Sequence, residues 1–78
     1  MPDVDVLCRL SPGESATVAG LVAGGDMRRR LQDMGLIEGT TVRCVQRSPL
    51  GDPTAFLIRG AVIALRAGDS AGVLIRHS

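Results

Sequence analysis

Three side chains in this sequence have the chemistry of nucleophiles or transition-metal ligands: Cys8, Cys44 and His77. None of them stands at the close spacing of a C-x-x-C or H-x-x-E ligand pair, so only the fold could assemble them into a site. Cys44 alternates with Val42, which favours a small buried side chain. Cys8 and His77 therefore remain as weak candidate metal ligands, and simple packing is the favoured role of Cys8.

The glycines before the predicted helix do not form a phosphate-binding loop. Gly24 and Gly25 lead into Asp26, an acid at the position that a phosphate would occupy. Nucleic-acid binding has little support, because the net charge is only +1 and Phe56 is the only aromatic residue. The sequence thus indicates neither an enzyme nor a nucleic-acid-binding protein.

The bulk composition predicts one globular domain over residues 1–78, with a core over about residues 7–76. Residues 1–5 lack the basic-then-apolar order of a signal peptide, and no apolar run reaches the ~20 residues that span a bilayer. Two cysteines are few for a secreted scaffold of this size. We therefore expect a cytoplasmic protein with free thiols, without direct membrane insertion, whose role at a membrane would need a partner.

One helix is predicted, over about residues 26–34, with Asp26 as its N-cap. Its buried stripe follows helical spacing: Met27, Leu31 and Met34. Gly35 is expected in the left-handed conformation that ends a helix, with Leu36 folding back onto Leu31. Gly39 then turns the chain into the next strand.

The remainder of the chain predicts a mainly β fold. About five short strands are expected, at residues 15–23, 40–47, 54–59, 61–66 and 73–75, with a helical turn at about 67–71. The helix is inserted after the first of these strands. Short strands separated by turns at this spacing favour a small SH3-like barrel, and Leu7 and Leu10 are expected to pack across its mouth.

The segment 48–53 predicts a wide turn, because it contains Pro49, Gly51 and Pro53. At least one of Arg59 and Arg66 is expected to pair with Asp52 and fix this loop. Gly60 permits a tight hairpin between two strands. The loop carries Leu50 and is a candidate recognition tip.

Three arginines in the predicted helix, Arg28, Arg29 and Arg30, have two possible roles. They are either a solvated helix face or a surface that docks onto an acidic partner. Pairs at i,i+4 spacing would occupy Arg30 with Asp26 and Arg29 with Asp33. Arg28 has no such mate and is the best docking candidate of the three.

An apolar strip on the central hairpin is the other candidate for partner binding. If Phe56, Ile58, Ile63 and Leu65 face inward, alternation is expected to turn four apolar side chains outward: Ala55, Leu57, Ala61 and Val62. The strip would be covered by the helix of the same chain, by a second copy in a weak homo-oligomer, or by a partner protein.

Three sequence blocks occur in a fixed order: R-R-L-x-x-M-G-L-I-x-G-T-x-V (residues 29–42), S-P-L-G-D-P (48–53), and R-G (59–60) followed by A-L-R (64–66). In this order and at these spacings they resemble the FeoA family, the small cytoplasmic partner of the bacterial ferrous iron transporter FeoB; L-x-P-G-E (10–14) fits the opening of that family. The structural motif positions carried by these matches are Leu31, Met34, Gly35, Gly39, Pro49, Gly51, Asp52, Pro53, Arg59, Gly60 and Arg66.

The resemblance implies an SH3-like barrel with an added helix. It also implies a supporting, non-enzymatic role in Fe(II) uptake through contact with the cytoplasmic part of FeoB, a membrane GTPase transporter. The alternative is a metal-sensing or metal-binding regulatory module, with weak affinity for Fe(II) or another divalent metal. Family members often carry charged residues where the strip places Leu57 and its apolar neighbours.

Overall fold

One antiparallel sheet of six strands makes up most of the chain. The computed structural model describes residues 4–77. The strands are β1 (Val4–Val6), β2 (Ser15–Leu21), β3 (Thr41–Arg47), β4 (Thr54–Ile58), β5 (Ala61–Leu65) and β6 (Val73–His77), hydrogen-bonded in the order β1-β6-β2-β3-β4-β5. A 3₁₀ turn covers Leu7–Arg9, helix α1 covers Gly25–Asp33, and helix α2 covers Ala67–Ser70.

The predicted mainly β architecture, with a helix after the first predicted strand and a short helical turn before the last, is confirmed. The number of strands was wrong by one, because β1 was not predicted. Asp5 of β1 lies opposite Ile75 of β6, near the other end of the sequence. A strand of three residues that depends on so distant a partner leaves no local pattern to detect. Among residues 4–77, no helix has the length and apolar character needed to cross a bilayer.

The core lies on the inner face of this sheet, where side chains from most strands meet α1 and the 3₁₀ turn. Phe56 is fully buried at its centre, together with Leu7 and Leu10 from the segment before β2, as expected. The fully buried apolar residues also include Ala16, Val18, Leu31, Leu36, Val42, Cys44, Val73 and Ile75. Arg47 ties this segment to the sheet, because its Nη2 donates to the Leu10 carbonyl at 2.9 Å.

An irregularity in β2 reverses the predicted side-chain alternation. The register against β6 shifts between Val18 and Gly20, which inserts an extra residue into one strand. Simple alternation over residues 15–23 predicts that Val18 and Val22 share one face and that Leu21 and Ala23 share the other. Val18 is buried and Val22 is exposed, whereas Leu21 and Ala23 pack against the core, so this prediction was wrong. Gly20 marks the bend.

Helix α1 has the predicted stop motif, but it begins and ends one residue earlier than predicted. The prediction of Asp26 as the N-cap was wrong, because the N-cap is Gly24 and Asp26 lies inside the first turn. The Leu36 N–H donates to the Leu31 carbonyl at 3.1 Å, and the Gly35 N–H donates to the Gln32 carbonyl at 2.9 Å. This pair of bonds is the Schellman motif. Leu31 is fully buried, and Met27 and Met34 are partly buried against the core.

The end of α1 is locked against the turn between β4 and β5. Gly35 has a φ of 100°, and an ideal Cβ built on it would lie 2.5 Å from Arg59 Cδ and 3.2 Å from Arg59 Cγ. Arg59 and Gly60 both have positive φ, 51° and 85°, the pattern of a two-residue type I′ hairpin turn. Gly35 is thus required both for its conformation and for the close approach of the Arg59 side chain.

We predict that Gly35→Ala destabilises the fold by about 2 to 3 kcal/mol, since it adds a steric clash to the cost of a positive φ. Gly39→Ala is the matched control, because Gly39 has a φ of 93° but open space around its Cβ position. It should cost only about 1 kcal/mol. Urea unfolding of both variants measures the difference, and adding Arg59→Ala should restore part of the loss in Gly35→Ala. Equal losses in the two glycine variants would contradict the close contact.

Candidate functional site

The outward side of the hairpin formed by β4 and β5 carries a continuous apolar strip. Two cross-strand pairs form it: Ala55 opposite Ala64, and Leu57 opposite Val62. We call these four residues the outer strip. Leu57 is 38% and Val62 is 64% exposed. Thr54, Phe56 and Ile58, which alternate with Ala55 and Leu57 along β4, are buried. The alternation of β4 therefore forces the strip outward, as the sequence predicts.

The predicted membership of this strip needs one correction. Ala61 lies opposite Ile58, on the inward side of the hairpin, and it is exposed only because it adjoins the turn. Ala64 takes its place in the strip. The signal was present in the sequence, because inward-facing Ile63 and Leu65 require Ala64 between them to point outward.

Of the three possible covers for the strip, helix α1 of the same chain is ruled out. The exposed fractions of Leu57 and Val62 show that nothing in residues 4–77 buries them. Helix α1 instead packs Leu31 into the core and ends against the turn at Arg59. The strip is therefore available to another molecule.

Two shallow hollows adjoin the outer strip, one at each cross-strand pair. The first, of about 280 Å³, is lined by Gln46, Arg47, Ser48, Pro49, Pro53, Ala55 and Ala64. The second, of about 380 Å³, is lined by Gly13, Arg43, Cys44, Val45, Leu57 and Val62. The strip and the hollows together form a concave, largely apolar surface, of the kind that protein interfaces use.

The loop 48–53 borders the first hollow and is held in place by Asp52. One carboxylate oxygen of Asp52 lies 3.9 Å from Arg66 Nη1, which is the ion pair predicted for this loop. The other oxygen accepts the Ala67 N–H at 2.7 Å. Leu50 projects from the loop with 94% of its surface exposed. An anchored loop thus presents an apolar side chain beside the strip.

Exposed arginines border this apolar surface. Arg43 lies directly opposite Leu57 in the pairing of β3 with β4. Arg59 stands in the turn at one end of β5, and Arg66 follows the other end. Arg66 is already paired with Asp52, whereas Arg43 and Arg59 form none of the ion pairs within residues 4–77. Arg43, which also lines the second hollow, therefore places a positive charge beside the strip.

The helix arginines lie apart from this surface, and the docking role of Arg28 stays a prediction. Arg28 has no ion pair within residues 4–77, but its Nη1 donates to the Leu21 carbonyl at 3.3 Å, where β2 ends just before α1. It lines a third hollow that shares no residue with the two beside the strip. The expected pairs of Asp26 with Arg30 and of Arg29 with Asp33 are not among the ion pairs of the described chain.

Among the described residues, neither thiol belongs to a cluster of metal-binding side chains. Cys44 is fully buried in the core, and this burial raises the pKa of its thiol. Cys8 is half-buried, and both thiols are free. His77 Nε2 lies 3.4 Å from an Asp5 oxygen. Within residues 4–77 there is no cluster of three or more His, Cys, Asp or Glu side chains that would surround a metal ion.

The Asp5 carboxylate connects the two chain ends and has its own polar environment. It accepts the Val6 N–H at 2.8 Å and lies 3.7 Å from Arg9 Nε. The Val6 hydrogen bond is the main cause that lowers the Asp5 pKa, with smaller contributions from His77 and Arg9. These contacts give Asp5 and His77 a structural role in the pairing of β1 with β6.

Fold and surface together define a class: a small mainly β module with an exposed apolar face bordered by arginines. A family model described as the FeoA domain matches residues 6–77. This chain therefore belongs to the FeoA domain family, and the resemblance seen in the sequence is confirmed. It is 33% identical over 67 residues to a Porphyromonas gingivalis protein named as a fusion of Fe(2+) transport protein A with the Fe(2+) transporter FeoB. That match covers 86% of this chain but only 8% of the fusion protein.

Solved structures agree with this assignment. The solution NMR structure of a FeoA protein from Chlorobium tepidum superposes with a TM-score of 0.86 at 30% identity, covering 94% of this chain and 70% of that chain. The crystal structure of Stenotrophomonas maltophilia FeoA in complex with zinc superposes with a TM-score of 0.82 at 28% identity. The match covers 91% of this chain and 88% of that chain. The latter protein is described as a procaryotic SH3 domain protein, which confirms the SH3-like prediction. The predicted closed barrel was wrong, because β1 and β5 at the two edges of the sheet are not paired with each other.

We predict that the two thiols differ sharply in reactivity. At about pH 8, iodoacetamide should modify Cys8 within minutes and leave Cys44 unmodified until the chain is unfolded, because burial both blocks access and raises the Cys44 pKa. Mass spectrometry of proteolytic fragments, with and without urea, measures the two rates. Similar rates for both thiols in the native protein would show that Cys44 is not in a closed core.

Proposed function

We propose that this chain is an accessory protein of ferrous iron uptake that acts by contact with a FeoB-like membrane GTPase transporter. Membership of the FeoA domain family supports the role in iron transport. In this proposal the protein has no catalytic step of its own. It works at the cytoplasmic part of the transporter, recruited to the inner membrane by that contact.

The observation that carries the proposal is the natural fusion of a homologous segment to FeoB in P. gingivalis. Joining two modules in one chain holds them at an effective concentration in the millimolar range, so a contact between them needs little affinity. The fusion therefore supports a functional association of the two modules. A contact between them also needs complementary surfaces.

The outer strip and the neighbouring loop are the surface with the right chemistry for that contact. Leu57 and Val62 at its centre are apolar and accessible, and Leu50 stands on an anchored loop beside them. Arg43 lines the second hollow together with Leu57 and Val62 and places a positive charge beside the strip. Apolar side chains inside a polar rim are the usual anatomy of a protein interface. We infer that a partner meets the protein here, and that Arg28 on α1 lies outside the contact.

A metal-binding regulatory module is the second candidate. The zinc complex of the S. maltophilia relative is the observation that favours it. In this chain Asp5 and His77 lie together, but the described residues offer them no third ligand. Calorimetry with Fe(II) and Zn(II) separates the candidates: affinity tighter than millimolar that His77→Ala abolishes would support a metal-binding module over a purely protein-binding one.

We predict that Leu57→Glu leaves the fold intact and weakens binding to the FeoB-like transporter encoded in the same genome by about tenfold or more, since a charge must then be buried in the contact. Val22→Glu is the matched control, because Val22 is an exposed apolar residue outside the strip. It should bind like the wild type. Binding to the detergent-solubilised transporter is measured by biolayer interferometry.

Far-UV circular dichroism and urea unfolding check that both variants fold. If the wild type does not bind the transporter at all, the proposed function is wrong. If the wild type binds and Leu57→Glu binds equally well, the contact lies elsewhere on the protein.

A further inference from the structure

The sheet has two free edges, and only one of them is protected against pairing. Strand β1 at one edge has three residues, with the charged Asp5 at its centre. Strand β5 at the other edge reads A-V-I-A-L, without a charge or a proline. Natural proteins usually protect exposed edges with short strands, charges, prolines or bulges. An unprotected apolar edge of five residues therefore indicates that another strand pairs with it.

The hydrogen-bonding pattern shows which groups of β5 are free. The turn at Arg59 and Gly60 has two residues, so Ile58 and Ala61 form a hydrogen-bonded pair, and alternate pairs along the hairpin follow the same rule. The backbone groups of Ala61, Ile63 and Leu65 therefore point toward β4. Those of Val62 and Ala64 point away from the sheet, and in the described chain β4 is the only strand beside β5.

The free backbone groups and the apolar side chains belong to the same residues. Val62 and Ala64 are the β5 half of the outer strip. A strand added along β5 would bond to their N–H and C=O groups. It would also extend the apolar surface, because its side chains opposite these two residues face the same way. Backbone pairing and apolar contact thus coincide at one edge.

We propose that β5 is the docking edge of this protein, and that it accepts an extended segment of the partner as a seventh strand. This inference rests on the proposed contact with a FeoB-like transporter and specifies its geometry. The segment should have apolar residues at alternate positions, which lie beside the outer strip. It should carry carboxylates at its ends, near the two exposed arginines that flank β5. Arg59 lies in the turn before β5, and Arg66 after β5 remains accessible because its 3.9 Å ion pair with Asp52 is exposed.

Charge argues for such a partner rather than a second copy of this chain. If two β5 strands paired antiparallel about Ile63, the symmetric register would place Arg66 of each copy opposite Gly60 of the other and beside its Arg59. Each end of the paired strands would then hold two arginines close together, which is unfavourable. A strand with acidic ends meets the same arginines favourably.

The first hollow gives the added strand a place for a side chain. It lies between Ala64 on β5 and the prolines of the anchored loop, Pro49 and Pro53. Its volume of about 280 Å³ is large enough for an aliphatic or aromatic side chain. Strand addition gives affinity through the main chain and specificity through such side-chain hollows.

Val62→Pro tests the backbone contact selectively. Proline removes the outward N–H of Val62 but no hydrogen bond to β4, so the hairpin is expected to keep its fold. Val62→Ala is the matched control, since it keeps the N–H and loses, like the proline variant, the valine side chain. We expect Val62→Pro to bind the solubilised FeoB-like transporter about tenfold or more weakly than Val62→Ala does.

Amide hydrogen exchange of the wild-type protein gives an independent readout. In the free chain, the Val62 and Ala64 amides should exchange rapidly, and those of Ile63 and Leu65 slowly, because only the latter bond to β4. Saturation with the transporter should protect the Val62 and Ala64 amides by at least about tenfold.

Each result separates the inference from the function on which it rests. Loss of binding in a folded Val62→Pro together with new protection of the two amides supports strand addition. Normal binding by Val62→Pro, or unchanged amides in a complex that Leu57→Glu disrupts, overturns strand addition and leaves the proposed function standing. Slow exchange at Val62 and Ala64 at high protein concentration, with a dimer by sedimentation, identifies a second copy as the occupant and also overturns it. No binding by the wild type overturns the proposed function itself.

Discussion

The alternation of β4 is the constraint on which the rest of this structure depends. Phe56 is the only aromatic residue and a fully buried one, and Ile58 and Thr54 accompany it on the inner face. With Phe56 inside, Leu57 must point outward, and the two-residue turn then fixes Val62 beside it. The same turn receives the end of α1, because the Arg59 side chain packs against Gly35. Core, helix position and binding surface therefore follow from one strand.

Local chemistry made much of the fold predictable. The helix was placed within one residue at each end, since Met27, Leu31 and Gly35 give both the buried spacing and the stop signal. The pair between Asp52 and Arg66 could be expected because both residues border a rigid turn. The features that the sequence alone did not predict depend on pairing between strands that are distant in the sequence. Strand β1 forms only by pairing with β6, and the exposure of Val22 follows from a register shift in the pairing of β2 with β6.

The candidate surface was predictable in its centre but not at its edges. Leu57, Val62 and Ala55 were placed outward from alternation alone, whereas Ala61 was included and Ala64 omitted because the turn register was not applied to β5. Arg28 was chosen for lack of a charged mate, yet a backbone carbonyl at the end of β2 occupies it. A carbonyl partner of this kind depends on how a strand and a helix meet in the fold. The spacing of charged residues in the sequence does not reveal it.

In this account the family supplies the setting, and the particular surface supplies the means of contact. The fused homologue joins the two modules in one chain, which supports their association. The apolar edge strand and the hollow beside it offer a surface for the proposed contact that needs no reaction chemistry. The raised pKa of the buried Cys44 thiol agrees with a structural role for this residue.

The most direct test of the central claim is a cross-saturation NMR measurement on the isotope-labelled protein in the presence of the unlabelled, detergent-solubilised FeoB-like transporter. The account predicts signal loss concentrated at residues 55–57 and 61–65 and at Leu50, with Arg28 and the rest of α1 unaffected. Signal loss centred on α1, with β4 and β5 unchanged, would contradict it.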